Sequence, residues 1–409
     1  MINKEENYPN ADGWNLKQLW PTKKLKEENL YLYNIAINKY LSTTEVEVED
    51  YGKMILFGGY SYLSLGNHPK ILKSTNECMK QYGTGTDGVR LLAGTTSIHK
   101  KLEKKIASFK STESAITYSS GYVANFTTIS SLVGRHDTII SDQLNHASIN
   151  DGCVFSRATI RRFRHNDMNH LEHRLKQNNK GNVLVIADAV FSMEGDIFNL
   201  PVASRLCKKY GALLMIDECH STGVIGRTGK GIEEHFDLPS DSIDIKMGTL
   251  GKAIPSQGGY IASSEELCDI LRHRSGGFIY SGANSPLNEA ASLAAFEVIE
   301  EEPWRVEKLH ENTTYAKNIL EMANVPLVKS ETAILPILCG DDWYAWRLAK
   351  HCLDNGIFIL AVPYPVVPKG KAILRLSINT DHSKQQIDYL KDVIVDGMKK
   401  LNLREKENV

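Results

Sequence analysis

A single lysine, Lys252, lies between Gly251 and Ala253 in the segment DIKMGTLGKAIPSQGGY, residues 244–260. Its small and apolar neighbours, together with the apolar run before it, indicate an amine held away from bulk water. Desolvation lowers the pKa of a lysine and frees its amine as a nucleophile, which can form a Schiff base with a carbonyl. Most lysines are solvated surface charges, so the interpretation of Lys252 depends on the residues that accompany it.

Several polar side chains follow or end apolar runs elsewhere in the chain. With their runs in parentheses, they are Asn145 and His146 (TIISD), Ser192 (LVIADAVF), Asp217 and His220 (ALLMID), and Thr249 and Lys252 (IDIKMG). In open α/β sheets, ligands bind outside the carboxyl ends of the strands. Asp217 could instead be a helix N-cap, Ser192 a turn residue and the histidines polar residues near the core. One shared ligand, however, explains all four segments together.

These residue types suit pyridoxal 5′-phosphate (PLP), whose aldehyde forms a Schiff base with a lysine. A carboxylate such as that of Asp217 would keep the pyridine nitrogen protonated, and the protonated ring is an electron sink. His220 and Ser192 could hydrogen-bond the phenolic oxygen of the ring, and His146 could stack on its face. The sequence therefore predicts PLP as the cofactor and no metal.

The segment SSGYVAN, residues 119–125, supplies small residues that lead into a predicted helix. Backbone N–H groups at a helix start bind phosphate, and the hydroxyl of Thr249 could donate to the same group. The segment GTGTDG, residues 83–88, matches the glycine pattern of nicotinamide-binding proteins, but that pattern requires a preceding strand. Residues 68–82 instead predict a helix, so we interpret residues 83–88 as a glycine-rich turn near a bound ligand.

Apolar runs alternate with helix-like stretches from about residue 100 to 265, which favours an α/β fold with a parallel sheet covered on both faces. The strand candidates are SAITYSSG, DTIISD, NVLVIADAVFS, ALLMIDE and SIDIKMGTL, and later ILPILCG and KAILRLSI. Apolar residues at helical spacing near the end predict a C-terminal helix. We therefore predict an N-terminal arm (1–50), a large PLP-binding domain (51–300) and a small C-terminal domain (301–409).

The chain has 409 residues, of which 24% are charged, and a formal net charge of −1. This balance gives no overall field that would favour nucleic acid, and we interpret the basic run RATIRRFRH, residues 157–165, as a strand with solvated edges. Seven cysteines without a CxxC pair fit a reducing cytoplasm. The first residues are polar, and no apolar run approaches the ~20 residues that span a bilayer, so we predict no leader and no integral membrane segment.

Seven motifs follow one another along the chain: YGTGTDGVRLLAGTTSIHKKLE, SSGYVAN, DQLNHASINDG, FSMEGD, DECHSTGVIG, GTLGKA and LRLSINTDH. They resemble those of the α-oxoamine synthases, fold-type I PLP enzymes that include 8-amino-7-oxononanoate synthase, glycine C-acetyltransferase and serine palmitoyltransferase. The resemblance extends from about residue 45 to 400. It implies a large domain with a mostly parallel seven-stranded sheet and a smaller C-terminal α+β domain.

The resemblance also implies roles for the candidate residues in the cofactor site. Lys252 would form the Schiff base, Asp217 would pair with the pyridine nitrogen, His220 and Ser192 would contact the phenolic oxygen, His146 would stack on the ring, and Gly121, Tyr122 and Thr249 would bind the phosphate. Catalysis would depend on Lys252, His146, Asp217 and His220. Relatives are homodimers with sites at the interface, so Ser281 and Gly282 would reach the phosphate of the partner.

The implied reaction condenses a small amino acid (serine, glycine or alanine) with an acyl thioester of coenzyme A or a carrier protein. Carbon dioxide is usually lost, and the product is an α-amino ketone. Arg375 would hold the carboxylate of the amino acid, because a guanidinium binds a carboxylate through two parallel hydrogen bonds. An aminotransferase or aldolase on the same fold is the alternative, which the motif around His146 disfavours. A non-catalytic partner subunit is a further alternative, which the presence of Lys252 disfavours.

The chain departs from the family pattern near the expected substrate. Many members carry asparagine in a stretch SN(D/S)YLGL, where this chain reads GGYSYLSL with Tyr60 and Ser61. We expect these two residues to contact the substrate. Cys219 stands where alanine is usual, and Gly251 where serine is common. These departures leave the amino acid and the acyl chain open.

Overall fold

The computed structural model describes residues 21–407. Its helices are α1 Thr22–Glu27, α2 Pro69–Tyr82, α3 Ser97–Phe109, α4 Gly121–Leu132, α5 Ala147–Ser156, α6 Met168–Lys176, α7 Leu200–Tyr210, α8 Ile232–His235, α9 Glu265–Arg274, α10 Gly276–Ile279, α11 Pro286–Glu301, α12 Trp304–Met322, α13 Asp342–Asp354 and α14 Lys384–Glu407. Its strands are β1 Ile37–Tyr40, β2 Glu45–Val48, β3 Gly52–Leu56, β4 Ser114–Tyr118, β5 Thr138–Asp142, β6 Thr159–Phe163, β7 Val183–Asp188, β8 Leu213–Asp217, β9 Ile245–Gly251, β10 Pro255–Ser263, β11 Ile334–Gly340, β12 Ile357–Phe358, β13 Ala361–Val362 and β14 Ala372–Ser377.

Seven strands form the central sheet, in the order β4-β10-β9-β8-β7-β5-β6. The strands β5 to β9 pair in parallel, whereas β10 is antiparallel to both of its neighbours. Helices connect the parallel strands because a parallel crossover needs a long connection. The predicted mostly parallel seven-stranded sheet is confirmed.

The side chains of β7 alternate between two hydrophobic clusters, one on each face of the central sheet. Leu184 and Ile186 belong to one cluster, and Val185 and Ala187 belong to the other. All four are at most 1% exposed. A strand that is buried on both faces needs an apolar side chain at every position, so its sequence is continuously apolar rather than alternating.

The predicted strands and the predicted C-terminal helix are all present. Each of the seven strand candidates overlaps one strand, and α14 forms the end of the chain that the structure describes. The basic run at residues 157–165 contains β6, which lies at one edge of the central sheet and has Thr159 and Arg162 exposed. A helix, α2, precedes the glycine-rich turn at residues 83–88, as predicted.

Two smaller sheets adjoin the central one. In the first, with the order β1-β2-β3-β12, strand β3 near the beginning of the chain pairs in parallel with β12 near its end. The second has the order β11-β14-β13. The domain boundaries at residues 50 and 300 stay predictions, and residues 1–20 of the predicted arm lie outside the described residues. In residues 21–407, no helix is long and apolar enough to cross a membrane.

Candidate active site

The carboxyl ends of several parallel strands meet around a cavity of about 170 Å³, which we call the strand-end cavity. Its walls are formed by Gly121, Tyr122, Asn125, His146, Ser148, Asp188, Val190, Ser192, Asp217, Cys219, His220, Thr249 and Lys252. Eight of these residues are candidates from the sequence, and the fold brings them together from four segments and the start of α4. Thr249 lies within β9 rather than after it, because β9 continues to Gly251 through its pairing with β10.

Lys252 follows β9 directly and is half-buried. Its Nζ lies 2.8 Å from Nε2 of His220, and Nδ1 of His220 lies 2.7 Å from the hydroxyl of Tyr62. Burial and the nearby charge of Lys252 lower the pKa of His220 well below its usual range. The imidazole is therefore neutral and can accept a hydrogen bond from the amine of Lys252.

Asp217 ends β8 and is only 6% exposed. Nδ2 of Asn125 lies 2.6 Å from its Oδ2, and the backbone N–H of Cys219 donates to its Oδ1 at 2.8 Å. The same amide nitrogen of Asn125 donates to the hydroxyl of Ser148, which lies 2.7 Å from Nδ1 of His146. These contacts hold the carboxylate in one orientation and link it to the imidazole ring that is open to the cavity.

Helix α4 begins at Gly121 beside the strand-end cavity, and Ser120 caps it by accepting the N–H of Val123 at 3.1 Å. A Cβ on Gly121 would lie 3.4 Å from Oγ1 of Thr249, so the helix start and β9 are almost in contact. Free N–H groups at a helix start carry partial positive charge and suit an anion such as phosphate.

Arg375 projects from β14 of the small C-terminal sheet and is half-buried. Its Nε donates to the backbone carbonyl of Ser192 at 2.8 Å, and its Nη1 donates to the hydroxyl of Ser377 at 3.1 Å. Nη2 lies 3.4 Å from the hydroxyl of Tyr62, which also contacts His220. The guanidinium is therefore held close to the pair formed by His220 and Lys252.

A second cavity of about 490 Å³, which we call the apolar cavity, adjoins the strand-end cavity at Lys252, which lines both. Its apolar wall is formed by Ile37, Leu56, Pro255, Phe358, Ile359 and Leu360. Tyr60 and Ser61 lie in this cavity and not in the strand-end cavity.

Ser281 and Gly282 lie outside both cavities, in the segment between α10 and α11. Gly282 pairs with Val89, and the N–H of Ala283 donates to the carbonyl of Gly88 at 3.0 Å. The glycine-rich turn therefore packs against this segment. Within one chain these two residues do not reach the cavity, so their contact with the phosphate of a partner stays a prediction.

The sequence predicts no role for four polar residues of the site: Tyr62, Asn125, Ser148 and Asp188. Asn125 lies four residues after Gly121, and this spacing places both on one face of a helix. Asp188 is the last residue of β7, and its Oδ2 accepts the N–H of His146 at 3.0 Å. Burial and the charge of Asp217 raise the pKa of Asp188 well above its usual range. Spacing gives no signal for Tyr62, since its partner lies 158 residues away.

The chemistry of the strand-end cavity fits PLP. Asp188 and Asn125 line it, and the Oδ1 atom of each is buried without a hydrogen-bond partner among residues 21–407. Buried polar atoms need hydrogen-bond partners, and a polar cofactor seated in this cavity would supply them. Lys252 offers an amine to the aldehyde, and the start of α4 suits the phosphate.

Comparisons with known proteins agree with this chemistry. The family model described as aminotransferase class I and II matches residues 52–394. The 8-amino-7-oxononanoate synthase 1 of Bacillus subtilis (strain 168) is 41% identical over 86% of this chain and 90% of its own length. For the 8-amino-7-oxononanoate synthase of Citrifermentans bemidjiense, the identity is 41% over 93% of this chain and 97% of that protein.

Two solved structures show the same fold. A serine palmitoyltransferase solved with PLP has a TM-score of 0.92 and 28% identity, over 97% of this chain and 100% of its own. The 8-amino-7-oxononanoate synthase of Francisella tularensis has a TM-score of 0.74 and 26% identity, over 85% of this chain and 99% of its own.

The fold and the site define a PLP-dependent transferase of fold type I. Within the aminotransferase class I and II family, the chain belongs to the α-oxoamine synthases. Its cofactor is PLP, and it is an acyltransferase that condenses an amino acid with an acyl thioester. The family, fold, cofactor and reaction class predicted from the sequence are confirmed.

Proposed function

We propose that this chain joins alanine to a seven-carbon dicarboxylic acyl thioester, with loss of carbon dioxide, and so forms 8-amino-7-oxononanoate. The structure of that product identifies the substrates. Its amino group on carbon 8 and ketone on carbon 7 require a two-carbon unit with an amino group, which is alanine without its carboxyl group, and a seven-carbon acyl group. Relatives named for this product are 38–41% identical to this chain over 82–93% of its length.

The observation that carries the proposal is that Lys252 lines both cavities. An amino acid held at the strand-end cavity thus has its α-carbon beside a second, larger space. That space accommodates the acyl chain against Ile37, Leu56 and Phe358. Walls of this kind exclude water from the thioester and favour its attack by carbon over hydrolysis.

PLP, when bound, delocalises into its ring the electron pair left on the α-carbon of the amino acid. Around it, Arg375 binds the carboxylate of the amino acid and fixes its orientation. The amine of Lys252 accepts the α-proton, and His220, being neutral, holds that amine by a hydrogen bond without competing for the proton. Asp217 keeps the pyridine nitrogen charged, while Asn125 keeps the carboxylate in position.

A second candidate is the condensation of serine with a long acyl thioester. Two observations favour it: the TM-score of 0.92 to a serine palmitoyltransferase, and the side chain of Tyr60 in the apolar cavity. Tyrosine replaces the common asparagine at this position in some serine palmitoyltransferases as well.

We also propose a homodimer that shares its active sites. Tyr280, which directly precedes Ser281, is 85% exposed, and Leu92, in the stretch after the turn that packs against this segment, is 80% exposed. Large apolar side chains that are this exposed are candidates for an interface, and a second copy of the chain would cover them. The location that we propose is the cytoplasm, because all seven cysteines are free thiols.

A matrix of substrates tests the proposal. Alanine, serine and glycine are each combined with a seven-carbon dicarboxylic acyl thioester and with a sixteen-carbon acyl thioester, and thiol release is measured. We expect the highest kcat/KM for alanine with the seven-carbon thioester. A preference for serine with the long chain would support the second candidate, and thiol release by Lys252→Ala would contradict both.

A further inference from the structure

A charged histidine connects the carboxyl ends of three neighbouring strands of the central sheet, β6, β5 and β7. His165 follows β6, and its Nδ1 lies 3.1 Å from Oδ1 of Asp142 at the end of β5. Its Nε2 lies 3.0 Å from Oδ2 of Asp196, in the loop after β7 that we call the 191–197 loop. Because both acceptors are carboxylates, both ring nitrogens donate, and the ring carries a positive charge.

The surroundings of His165 favour that charge. Burial opposes it, but the hydrogen bonds to Asp142 and Asp196 outweigh burial and raise the pKa of His165 to about 10. Glu194 is a further carboxyl group whose charge interacts with the ring. Asp142 is fully buried and also accepts the N–H groups of Leu144 and Asn166, at 2.9 Å and 2.8 Å. This buried carboxylate therefore holds one side of the His165 ring in a fixed position. We call the two contacts of His165, with Asp142 and with Asp196, the clamp.

The 191–197 loop connects this clamp to the substrate side of the site. The backbone carbonyl of Ser192 accepts Nε of Arg375 at 2.8 Å. In the same loop, the carbonyl of Gly195 accepts the hydroxyl of Ser330 at 3.2 Å. His165 thus holds the loop through Asp196, and the C-terminal part of the chain contacts the loop at Ser192 and Gly195.

We propose that His165 is a positioning residue for the amino-acid substrate: it fixes the 191–197 loop, whose Ser192 carbonyl sets the direction of the Arg375 guanidinium. The inference rests on the proposed function, in which Arg375 binds the carboxylate of the amino acid. His165 lines neither the strand-end cavity nor the apolar cavity. It acts only through the contact between Ser192 and Arg375.

The test uses His165→Gln holoenzyme, with His173→Gln on the exposed surface of α6 as the matched control. Dissociation constants for alanine and serine are measured from the change in the visible absorbance of the bound cofactor, and kcat and KM from thiol release. We expect His165→Gln to raise the dissociation constant and KM of the amino acid about tenfold, the equivalent of one misaligned charged hydrogen bond. Cofactor content, kcat and the KM of the thioester should stay close to those of the wild type.

A purely structural role would lower cofactor content and kcat together with substrate affinity, and this result would overturn the inference. Asp196→Asn provides a second variant, which removes one charge of the clamp at constant size, and it should raise the same KM. If Asp196→Asn leaves that KM unchanged, the inference is wrong even where His165→Gln fails to fold.

A double-mutant cycle with Arg375→Lys separates the inference from the proposed function. If His165 acts through Arg375, then His165→Gln should have little further effect on amino-acid affinity in the Arg375→Lys background. If Arg375→Lys alone leaves that affinity unchanged, the proposed role of Arg375 fails. If Arg375→Lys weakens binding but His165→Gln does not, only the role of His165 fails.

Discussion

The amine of Lys252 is paired with a base that cannot take its proton. His220 accepts a hydrogen bond from Nζ at 2.8 Å, yet its pKa lies well below the usual range because the ring is buried. The other ring nitrogen lies 2.7 Å from the hydroxyl of Tyr62, which fixes the plane of the imidazole. The amine is thus held in place by a neutral group, as is required by our proposal that it accepts the α-proton.

Asp217→Asn tests the electrostatic role of the carboxylate at this scale. Asparagine keeps the size of the side chain but cannot keep a pyridine nitrogen protonated, so the cofactor would lose its capacity as an electron sink. We expect kcat to fall at least about a hundredfold, or about 3 kcal/mol in activation free energy, with cofactor still bound. Thiol release and cofactor content are the measurements, and exposed Asp241→Asn is the control. Unchanged kcat would contradict the assignment.

At the scale of secondary structure, the sequence allowed every strand that delivers a site residue to be predicted. Strands β7 and β8 are apolar up to a final aspartate because both faces of the sheet are buried. A polar residue of the site follows shortly after each of β5, β7, β8 and β9. Such runs are visible without any knowledge of the fold.

Other features could not be predicted, because they depend on contacts between distant parts of the chain. Strands β12 and β13 have only two residues each, too few for a periodic pattern, and β12 exists through its pairing with β3. The contacts of Tyr62 with His220 and of Arg375 with Ser192 join residues 158 and 183 positions apart. The sequence thus identified the residues that line the strand-end cavity more fully than the residues that hold them in place.

The Gly258–Gly259 pair after Lys252 has a packing role that leads to a second prediction. A Cβ on Gly259 would lie 2.6 Å from the carbonyl oxygen of Ser120 and 2.7 Å from Cα of Gly121. Both partners are backbone atoms at the start of α4, so Gly259→Ala must displace the helix start that we assign to the phosphate. Overpacking of this kind costs about 1–3 kcal/mol.

We therefore expect Gly259→Ala to fold but to bind PLP about tenfold more weakly or worse, because that displacement costs over 1 kcal/mol of binding free energy. Titration of the apoenzyme with PLP, followed by visible absorbance, measures the effect. Gly134→Ala is the matched control, since a Cβ there meets nothing within 4 Å. Equal affinities in the two variants would contradict the assignment of the phosphate to this helix start.

At the scale of the whole molecule, the burial of His382 in its neutral form makes the free energy of unfolding depend on pH. His382 is 3% exposed, stacks on Phe57 at 4.1 Å, and accepts the N–H of Asn379 through Nδ1 at 3.0 Å. Burial lowers its pKa to about 4. The unfolded chain, with a histidine pKa of about 6.5, binds the proton first as the pH falls. The contribution of His382 to stability is therefore complete above pH ~6.5 and is lost as the pH falls towards 4.

His382→Gln removes this titration. We expect the variant to be less stable than the wild type at pH 7, but to lose about 2 kcal/mol less on going from pH 7 to pH 5. Urea unfolding at the two pH values gives the free energies of unfolding, and exposed His173→Gln should follow the wild type. Parallel losses in the wild type and in His382→Gln would show that the pKa of His382 is the same in the folded and the unfolded chain.

The proposed dimer predicts that two inactive variants regain activity when their subunits are mixed. If each site takes Lys252 from one subunit and Ser281 from the other, then Lys252→Ala and Ser281→Glu are both inactive alone, the second because glutamate repels the phosphate. In a mixed dimer, one site combines both intact residues and the other carries both defects. Random exchange of subunits should therefore restore about a quarter of the wild-type activity, since half of the dimers are mixed and half of their sites are intact.

Mixing Lys252→Ala with Asp217→Asn is the control for this experiment. Both residues belong to the same chain and line the same cavity, so each site of that mixed dimer keeps one defect and no activity should return. Thiol release after subunit exchange measures both mixtures, with mixed dimers isolated through a tag on one subunit. Isolated dimers of Lys252→Ala with Ser281→Glu that remain inactive would mean that Ser281 does not serve the site of its partner.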